Sequence, residues 1–301
     1  MDFRTIVEIG KADFEIPPCE AMLFVGSCFA DRLGKRFQEE KFRAVVNPFG
    51  VMYNPASILH TVERWSAHIR CSHEGQPDEV GLEEENEKTS QTVTGVPHVA
   101  VFTLGTNHVY ILKETGEIVD NCRKRPQNWF EEKALTIEQC EEYLSKAVER
   151  LKEDYAGIKV IVTVSPIRYA KYGYHRSALS KAVLLLAAEK LQQSYPDTVS
   201  YFPAYEILND ELRDYRFYDS DMLHPSDQTV DYMWERFSDC YFGKKTLEFL
   251  ADWKPVKLAL NHRPFHPESK AYQDFLHKTR LKVNALSKKY PNFALDCKTF
   301  E

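Results

Sequence analysis

The sequence lacks the features that mark nucleic-acid-binding and membrane proteins. Its 301 residues include 39 Lys and Arg against 45 Asp and Glu, which gives a formal net charge of -6. Nucleic-acid-binding proteins normally carry an excess of basic residues on one face, and this sequence has no such excess. No uninterrupted apolar run approaches the ~20 residues that a membrane-spanning helix requires. We therefore expect neither a nucleic-acid nor a membrane partner, and a small-molecule or carbohydrate substrate fits better. The oligomeric state is not indicated.

Closely paired cysteines are also missing. The 7 cysteines are odd in number, and no Cys-x-x-Cys motif brings two of them to the spacing of metal ligands. Free thiols in a reducing compartment are the simpler interpretation. The first residues are charged where a signal peptide needs an apolar core. The sequence thus predicts a cytoplasmic protein without a metal site.

Short apolar runs alternate along the chain with longer amphipathic segments, as is typical of βαβ units around a parallel sheet. Strands are predicted over 21–25, 43–46, 98–102, 158–164 and 198–202, helices over 28–41, 55–68, 136–155, 177–194 and 229–242, and a hairpin over 109–119. This order predicts an α/β fold, a three-layer α/β/α sandwich with a five-stranded, mostly parallel sheet.

Two segments depart from that alternation. Residues 70–96 are crowded with Ser, Glu, Gly and Thr, and we interpret them as a solvated insert within a sheet domain of residues 1–248. Residues 249–301 lack strand patterns and contain a predicted helix at 270–288. They are predicted to form a C-terminal helical extension, either a cap or an appendage.

Ser27 follows the first predicted strand through Gly26 and begins the first predicted helix. Ligand sites in open parallel sheets form where strands end, so its hydroxyl is a candidate nucleophile with helix N–H groups nearby. The alternative is a helix N-cap, for which serine is favoured. Cys28 is a rival nucleophile, and its alternative is a small buried side chain.

Further polar groups follow other predicted strands. The backbone N–H of Gly50 and the side-chain amide of Asn107 are candidate donors to an oxyanion, and ordinary turn residues are the alternative for both. Arg168 and Tyr169 follow the fourth strand at the same edge, and we interpret them as surface residues in preference to contacts with a polar or anionic substrate.

Asp221-Met-Leu-His224 precedes the last helix of the predicted sheet domain. Because the aspartate and the histidine are three residues apart in a turn, the carboxylate can accept a hydrogen bond from the imidazole Nδ1–H and leave Nε2 to take the serine proton. Asp219 and Asp214 are alternative partners for the histidine. The spacing alone is a weak motif, and its weight comes from combination with Ser27.

Together these segments resemble a known family. Gly26-Ser-Cys-Phe-Ala30 is similar to the motif that names the GSCFA family of the SGNH (GDSL-like) hydrolase clan, and further stretches of the same family are Asn47-Pro-Phe-Gly-Val-Met-Tyr-Asn-Pro55, Thr103-Leu-Gly-Thr106, Thr163-Val-Ser-Pro166 and Asp221-Met-Leu-His-Pro-Ser226. The resemblance covers roughly residues 20–245.

The resemblance implies a flavodoxin-like three-layer fold and ester hydrolysis. It places the nucleophile on Ser27, the acid–base pair on Asp221 and His224, and the oxyanion hole on Ser27, Gly50 and Asn107. The chain departs from the clan's usual motif at Cys28, where Asp would follow the serine. Asn121 is an alternative to Asn107 as the oxyanion donor.

The predicted function is a serine esterase that acts on a small acyl ester, with acetyl as one candidate acyl group and a carbohydrate as one candidate alcohol. Such chemistry requires no cofactor, because the triad itself supplies nucleophile, base and orienting group. The first alternative is a catalytically inactive carbohydrate- or partner-binding module, against which the presence of both Ser27 and His224 argues. The second is an acyltransferase in which a sugar hydroxyl replaces water.

Overall fold

The computed structural model describes residues 4–74, 96–122 and 125–293. Within these ranges the principal elements, in chain order, are β1 (Ala21–Gly26), α1 (Cys28–Glu39), β2 (Arg43–Val46), α2 (Pro55–Glu74), β3 (Val99–Leu104), β4 (His108–Leu112), β5 (Ile118–Val119), β6 (Phe130–Ala134), α3 (Ile137–Asp154), β7 (Lys159–Val164), α4 (Tyr174–Ser194), β8 (Val199–Tyr201), α5 (Ala204–Glu206), α6 (Asp227–Tyr241), α7 (Lys244–Leu260) and α8 (Lys270–Lys289).

Five strands form one parallel sheet in the order β2-β1-β3-β7-β8. Every residue of β1 and β3 is buried, as is β7 after its first residue. Helices cover both faces of such a sheet, so its central strands are apolar on both sides, which is why they are continuous apolar runs in the sequence. The predicted fold class is confirmed.

Successive side chains of each strand point to opposite faces of the sheet and so belong to different cores. Leu23 and Val25 pack with residues of α2, α3 and α4 on one face. Met22 and Phe24 pack with residues of α1 and α6 on the other face. This separation makes the three layers.

The strand β6 and the helix α7 were not predicted from the sequence, nor was the three-residue helix α5. The strand β6 pairs antiparallel with β4 and, together with β5, makes a separate three-stranded sheet. The helix α7 begins at Lys244 and runs across the predicted domain boundary at residue 249. The predicted insert at 70–96 lies largely outside the described residues, and α2 continues to Glu74.

The helices α7 and α8 pack on each other around Phe249, Trp253 and Leu286. Trp253 Nε1 donates a hydrogen bond of 3.2 Å to Glu39 O, at the last residue of α1. Since Ser27 precedes the first residue of this 12-residue helix, the contact lies about 18 Å along the helix from the candidate nucleophile. This contact therefore joins the C-terminal helices to the end of α1 that is remote from Ser27.

Candidate active site

The turn between β1 and α1 requires a glycine before Ser27. Gly26 has a φ of +143°, and a Cβ atom at this position would lie 2.3 Å from Thr103 O. Only a residue without a side chain permits this approach of β1 to the end of β3. The result is that Ser27 is held directly beside Thr103.

Ser27 is 1% exposed and caps the N-terminus of α1. Its Oγ accepts a hydrogen bond of 3.3 Å from Phe29 N and lies 3.1 Å from Thr103 Oγ1. Its backbone N–H faces Thr103 O at 3.0 Å and Thr103 Oγ1 at 2.9 Å. The N-cap role and the role of a nucleophile at the sheet edge are thus compatible in one residue.

Asp221 and His224 form a hydrogen-bonded pair within one turn. Asp221 Oδ2 lies 2.5 Å from His224 Nδ1, and Asp221 Oδ1 accepts hydrogen bonds from Leu223 N at 2.8 Å and His224 N at 2.9 Å. The two backbone N–H groups and the imidazole hold the pKa of Asp221 well below its usual range, because each favours the ionised carboxylate. His224 Nε2 remains available for a second partner.

The alternative aspartates have other partners. Asp219 forms an ion pair with Arg32, and both carboxylate oxygens of Asp214 accept hydrogen bonds from Arg216. Asp221 is therefore the carboxylate that orients His224 in this structure.

The turn that holds this pair is tied to α1, which Ser27 caps, and to the segment just after β7. Arg32 of α1 donates a hydrogen bond of 2.6 Å to Pro225 O, next to His224, and also contacts Asp219. On the other side, Arg168 N, just after β7, donates to Leu223 O at 3.1 Å. Ser27 and His224 consequently lie at the same edge of the sheet. Among the described residues, Ser27 Oγ has no direct hydrogen bond to His224.

The predicted oxyanion donors all have protein acceptors. Gly50, with a φ of +93°, donates its N–H to Asn47 O at 2.9 Å, and Ser27 donates to Thr103 as above. Asn107 Nδ2 donates to Leu135 O at 2.7 Å, while its buried Oδ1 has no partner among the described residues. Asn121 is exposed and follows β5. Gly50 and Asn107 thus follow β2 and β3 at the edge where Ser27 lies, and each already donates one of its N–H groups to a protein acceptor.

One buried residue at this edge was not predicted. Lys181 of α4 donates hydrogen bonds of 2.7 Å each to Gly105 O and Ser165 O, just beyond the ends of β3 and β7. Its complete burial lowers the pKa of the ammonium group to about 7. Gly105 is adjacent to Ser27, because a Cβ atom on it would lie 3.4 Å from Ser27 Cβ. Lys181 therefore fixes one wall of the site.

Cys28, the rival nucleophile, is only partly exposed. It packs against the core beneath α1, and its Sγ lies 3.4 Å from the hydroxyl of Tyr53. Tyr53 also meets the ring of Tyr169 edge-on, with centroids 6.0 Å apart. This thiol is thus directed toward an aromatic side chain, and the imidazole of His224 is not among its hydrogen-bond partners in the described structure.

A cavity of about 600 Å³ lies at the opposite edge, where it is lined by Lys159 at the start of β7 and Val199 at the start of β8. It is therefore separate from the Ser27 edge. Among residues 4–74, 96–122 and 125–293, no helix is long and apolar enough to cross a membrane, and no three His, Cys, Asp or Glu side chains are grouped to hold a metal ion.

A serine at the first strand-to-helix junction of a parallel sheet and an Asp–His turn at the same edge are the main features of the candidate site in this three-layer α/β/α protein. The chain belongs to the GSCFA family, whose model matches residues 21–237. A second model, described as the C-terminal domain of GSCFA domain proteins, matches residues 253–298.

Two solved structures are distantly similar to this chain. One, from Streptococcus pneumonia and provisionally described as a platelet activating factor, is 13% identical, with a TM-score of 0.42, and the match covers 72% of this chain and 83% of that chain. The other, a carbohydrate esterase family 3 protein from Talaromyces cellulolyticus, is 10% identical, with a TM-score of 0.40, and covers 77% of this chain and 99% of that chain. Comparison with curated proteins gives no significant match.

Proposed function

We propose that this protein is a serine ester hydrolase in which Ser27 is the nucleophile, His224 the general base and Asp221 the group that orients the imidazole. The observation that carries the proposal is the tether of Arg32 to Pro225 at 2.6 Å. It joins the turn of the Asp–His pair to the helix that Ser27 caps, so the three groups lie at one edge of the sheet. Membership of the GSCFA family supports the same assignment.

In the proposed reaction, Ser27 Oγ attacks the ester carbonyl carbon while its proton passes to His224 Nε2. The resulting tetrahedral intermediate collapses, the bond to the alcohol oxygen breaks, and His224 returns the proton to the departing alcohol. A water molecule, deprotonated by His224, then attacks the acyl-serine, the bond between the acyl carbon and Ser27 Oγ breaks, and His224 returns the proton to Ser27 as the acid leaves. Asp221 stays ionised and stabilises the protonated imidazole throughout.

We assign the stabilisation of the oxyanion to backbone N–H groups at the start of α1 and in the Gly50 loop. The first N–H groups of a helix have no acceptor within the helix, and Cys28 is the first residue of α1. For Gly50 to contribute, its N–H must exchange Asn47 O for the substrate oxygen. Asn107 holds Leu135 O through its amide, and we assign it a supporting role in the wall of the site.

Within this reaction class we propose a small acyl ester of a polar alcohol as the substrate. An inactive binding module is the second candidate, because Ser27 Oγ has no direct hydrogen bond to His224 in the described structure and the predicted donors already have acceptors. The two candidates differ in one measurable property, the reactivity of the Ser27 hydroxyl.

The deciding experiment compares the native protein with Ser27→Ala and Cys28→Ala variants. A fluorophosphonate probe is expected to label the native protein at Ser27, and a panel of chromogenic short-chain and sugar esters is expected to be hydrolysed. Ser27→Ala should abolish both results, while Cys28→Ala should retain them, since its thiol lies outside the proton path. Activity that survives Ser27→Ala and disappears with Cys28→Ala would establish a cysteine enzyme. Absence of labelling and turnover would establish the binding module.

A further inference from the structure

A small cavity beside the Asp221–His224 turn has not been assigned a role above. It has a volume of about 280 Å³ and is lined by Arg168, Leu208, Asn209, Arg213, Asp214, Tyr215 and Tyr218. Arg168 Nη1 donates to Met222 O at 3.3 Å, so the cavity adjoins the turn that carries His224. The next residue, Tyr169, contacts Tyr53 on the Ser27 side. The cavity therefore borders the proposed active site.

The guanidinium group of Arg168 is held in place by aromatic rings. Its central carbon lies 4.3 Å from the ring centroid of Tyr174, 5.6 Å from that of Tyr215 and 5.7 Å from that of Tyr218. Planar guanidinium groups stack on aromatic faces and keep their N–H donors at the edge for carboxylate or phosphate oxygens. Arg168 is thus pre-oriented for a ligand and, in the part of the chain that the structure describes, has no carboxylate partner.

Arg213 brings a second cation to the same cavity in a strained backbone conformation. It follows a π-helical turn, Ile207–Leu212, and has a φ of +44°, which is uncommon for a residue with a side chain. Both π-helical turns and left-handed residues occur often at functional sites. Arg213 likewise forms no ion pair with any carboxylate in the described ranges.

Among the described residues that line the cavity, Asp214 is the one carboxylate, and it is paired with Arg216. Asp214 Oδ1 accepts from Arg216 N at 2.9 Å and Asp214 Oδ2 accepts from Arg216 Nη2 at 2.8 Å. The charges of Arg168 and Arg213 are therefore uncompensated within the cavity. Such an arrangement attracts an anion and repels a cation.

From these observations we propose that the cavity binds an anionic group of the ester substrate, a carboxylate or a phosphate, while the ester itself lies at Ser27. This inference rests on the proposed hydrolase function and narrows its substrate class to esters of anionic molecules, such as uronic acids or sugar phosphates. Arg168 and Arg213 are then residues that determine specificity, and the neighbouring turn keeps the charged group at a fixed place relative to His224.

The test uses acetyl esters that differ only in the group at C6: an acetylated methyl glucoside, the matching methyl glucuronoside and the matching 6-phosphate, of which the last two are anionic. The ratio of kcat/KM for each charged ester to that for the neutral ester is measured. We expect a ratio of about ten or more in the native protein, because each tenfold step requires only ~1.4 kcal/mol and one charge-assisted contact supplies this much. A high ratio for one charged ester alone identifies the group that the cavity accepts.

The variant of choice is Arg213→Asn, since asparagine tolerates a positive φ and the change leaves the bond of Arg168 to the His224 turn intact. It should lower the ratio about tenfold. Arg263→Asn is the matched control, because it removes the same charge from an exposed position in the segment between α7 and α8. A native ratio near one, or one unchanged by Arg213→Asn, overturns the inference while ester hydrolysis still supports the proposed function.

A binding measurement keeps the two proposals distinguishable. Titration calorimetry of the Ser27→Ala protein with free glucuronate, glucose 6-phosphate and glucose should show binding of at least one anion and none of glucose, and Arg213→Asn should weaken that binding. If no ester is hydrolysed yet an anion binds in this Arg213-dependent manner, the hydrolase function fails and the anion site stands. If no anion binds and the charged esters show no advantage, the anion site is refuted.

Discussion

Asp221 Oδ2 and His224 Nδ1 lie 2.5 Å apart, within a turn whose backbone N–H groups also bind the carboxylate. Because those N–H groups and the imidazole keep the pKa of Asp221 well below its usual range, the carboxylate stays ionised throughout the range in which ester hydrolysis is measured. The imidazole is thereby fixed with Nδ1 toward the acid. The geometry therefore requires that neutral His224 carries its proton on Nδ1 and leaves Nε2 unprotonated.

The first prediction tests this tautomer of His224 with Asp221→Asn. An amide in place of the carboxylate favours the wrong imidazole tautomer, so we expect kcat for a short-chain ester to fall by about 10²–10⁴-fold with little change in KM. Asp231→Asn is the control, since it removes a largely exposed carboxylate that pairs with Arg36 on α1. If kcat is unchanged in Asp221→Asn, the acid assignment is wrong.

The second prediction concerns Arg32, which ties α1 to the turn. Arg32→Met removes the bonds to Pro225 O and Asp219, so the imidazole should lose its fixed position relative to Ser27. We expect a fall in kcat of about ten- to hundredfold, because small misplacements of catalytic groups are costly. Arg32→Lys should retain part of the kcat that Arg32→Met loses. Lys35→Met removes an exposed cation of the same helix and should leave kcat as it is. An equal effect of both Met variants would point to a general charge effect.

The third prediction decides the role of Asn107. Its amide already binds Leu135 O, so Asn107→Ala should cost about 1 kcal/mol in the free energy of unfolding and lower turnover by less than about tenfold. Urea unfolding and steady-state kinetics measure the two effects. A loss of roughly 10²–10³-fold in kcat, as expected for an oxyanion donor, would mean that the amide turns from Leu135 toward the substrate and that the original prediction was correct.

The fourth prediction follows from the burial of Lys181. Burial lowers the pKa of its ammonium from 10.5 to about 7, so between these values the unfolded chain binds more protons at this site than the folded one. Stability that depends on Lys181 must therefore rise with pH across that window, by at most about 1.4 kcal/mol per pH unit. The neutral amine still has two N–H groups for Gly105 O and Ser165 O.

The measurement is the difference in the free energy of unfolding between the native protein and Lys181→Met at pH 6.0, 7.5 and 9.0. The native protein should gain relative to the variant as the pH rises above about 7. Lys190→Met, which removes an exposed lysine of the same helix, should show no such trend. Parallel pH profiles for the native protein and Lys181→Met would refute the prediction.

Most of the sheet could be predicted because its strands are buried on both faces. Lys159–Val164 is a continuously buried and almost entirely apolar run after its first residue, with Thr163 as its polar member, and such a run bounded by turn residues has few other interpretations. The strand β6 was missed since Phe130–Ala134 exposes its charged residues and pairs only with β4. The helix α7 was missed because it contains Pro255 and buries only a narrow stripe of side chains.

The candidate site also has features that the sequence predicted and features that it did not. Chain order was enough to place Ser27 and the Asp221–His224 pair at the edge where strands end, because parallel strands share that edge. The direction of the Asn107 amide depends on Leu135, whose proximity no local pattern encodes. Lys181 had a weak signal, since it falls in register with the buried residues Ser177 and Leu184. Its partners are again contributed by distant loops.

The tether between Arg32 and Pro225 spans 193 positions of the chain. At synthesis rates of about 5–20 residues per second, the turn that bears His224 leaves the ribosome roughly 10–40 s after the helix that Ser27 begins. Under the proposed function, the nascent chain has Ser27 without His224, its general base, throughout that interval. Esterase activity should therefore emerge late in biosynthesis, and fragments that end before residue 221 should be chemically inert even where their strands have already paired.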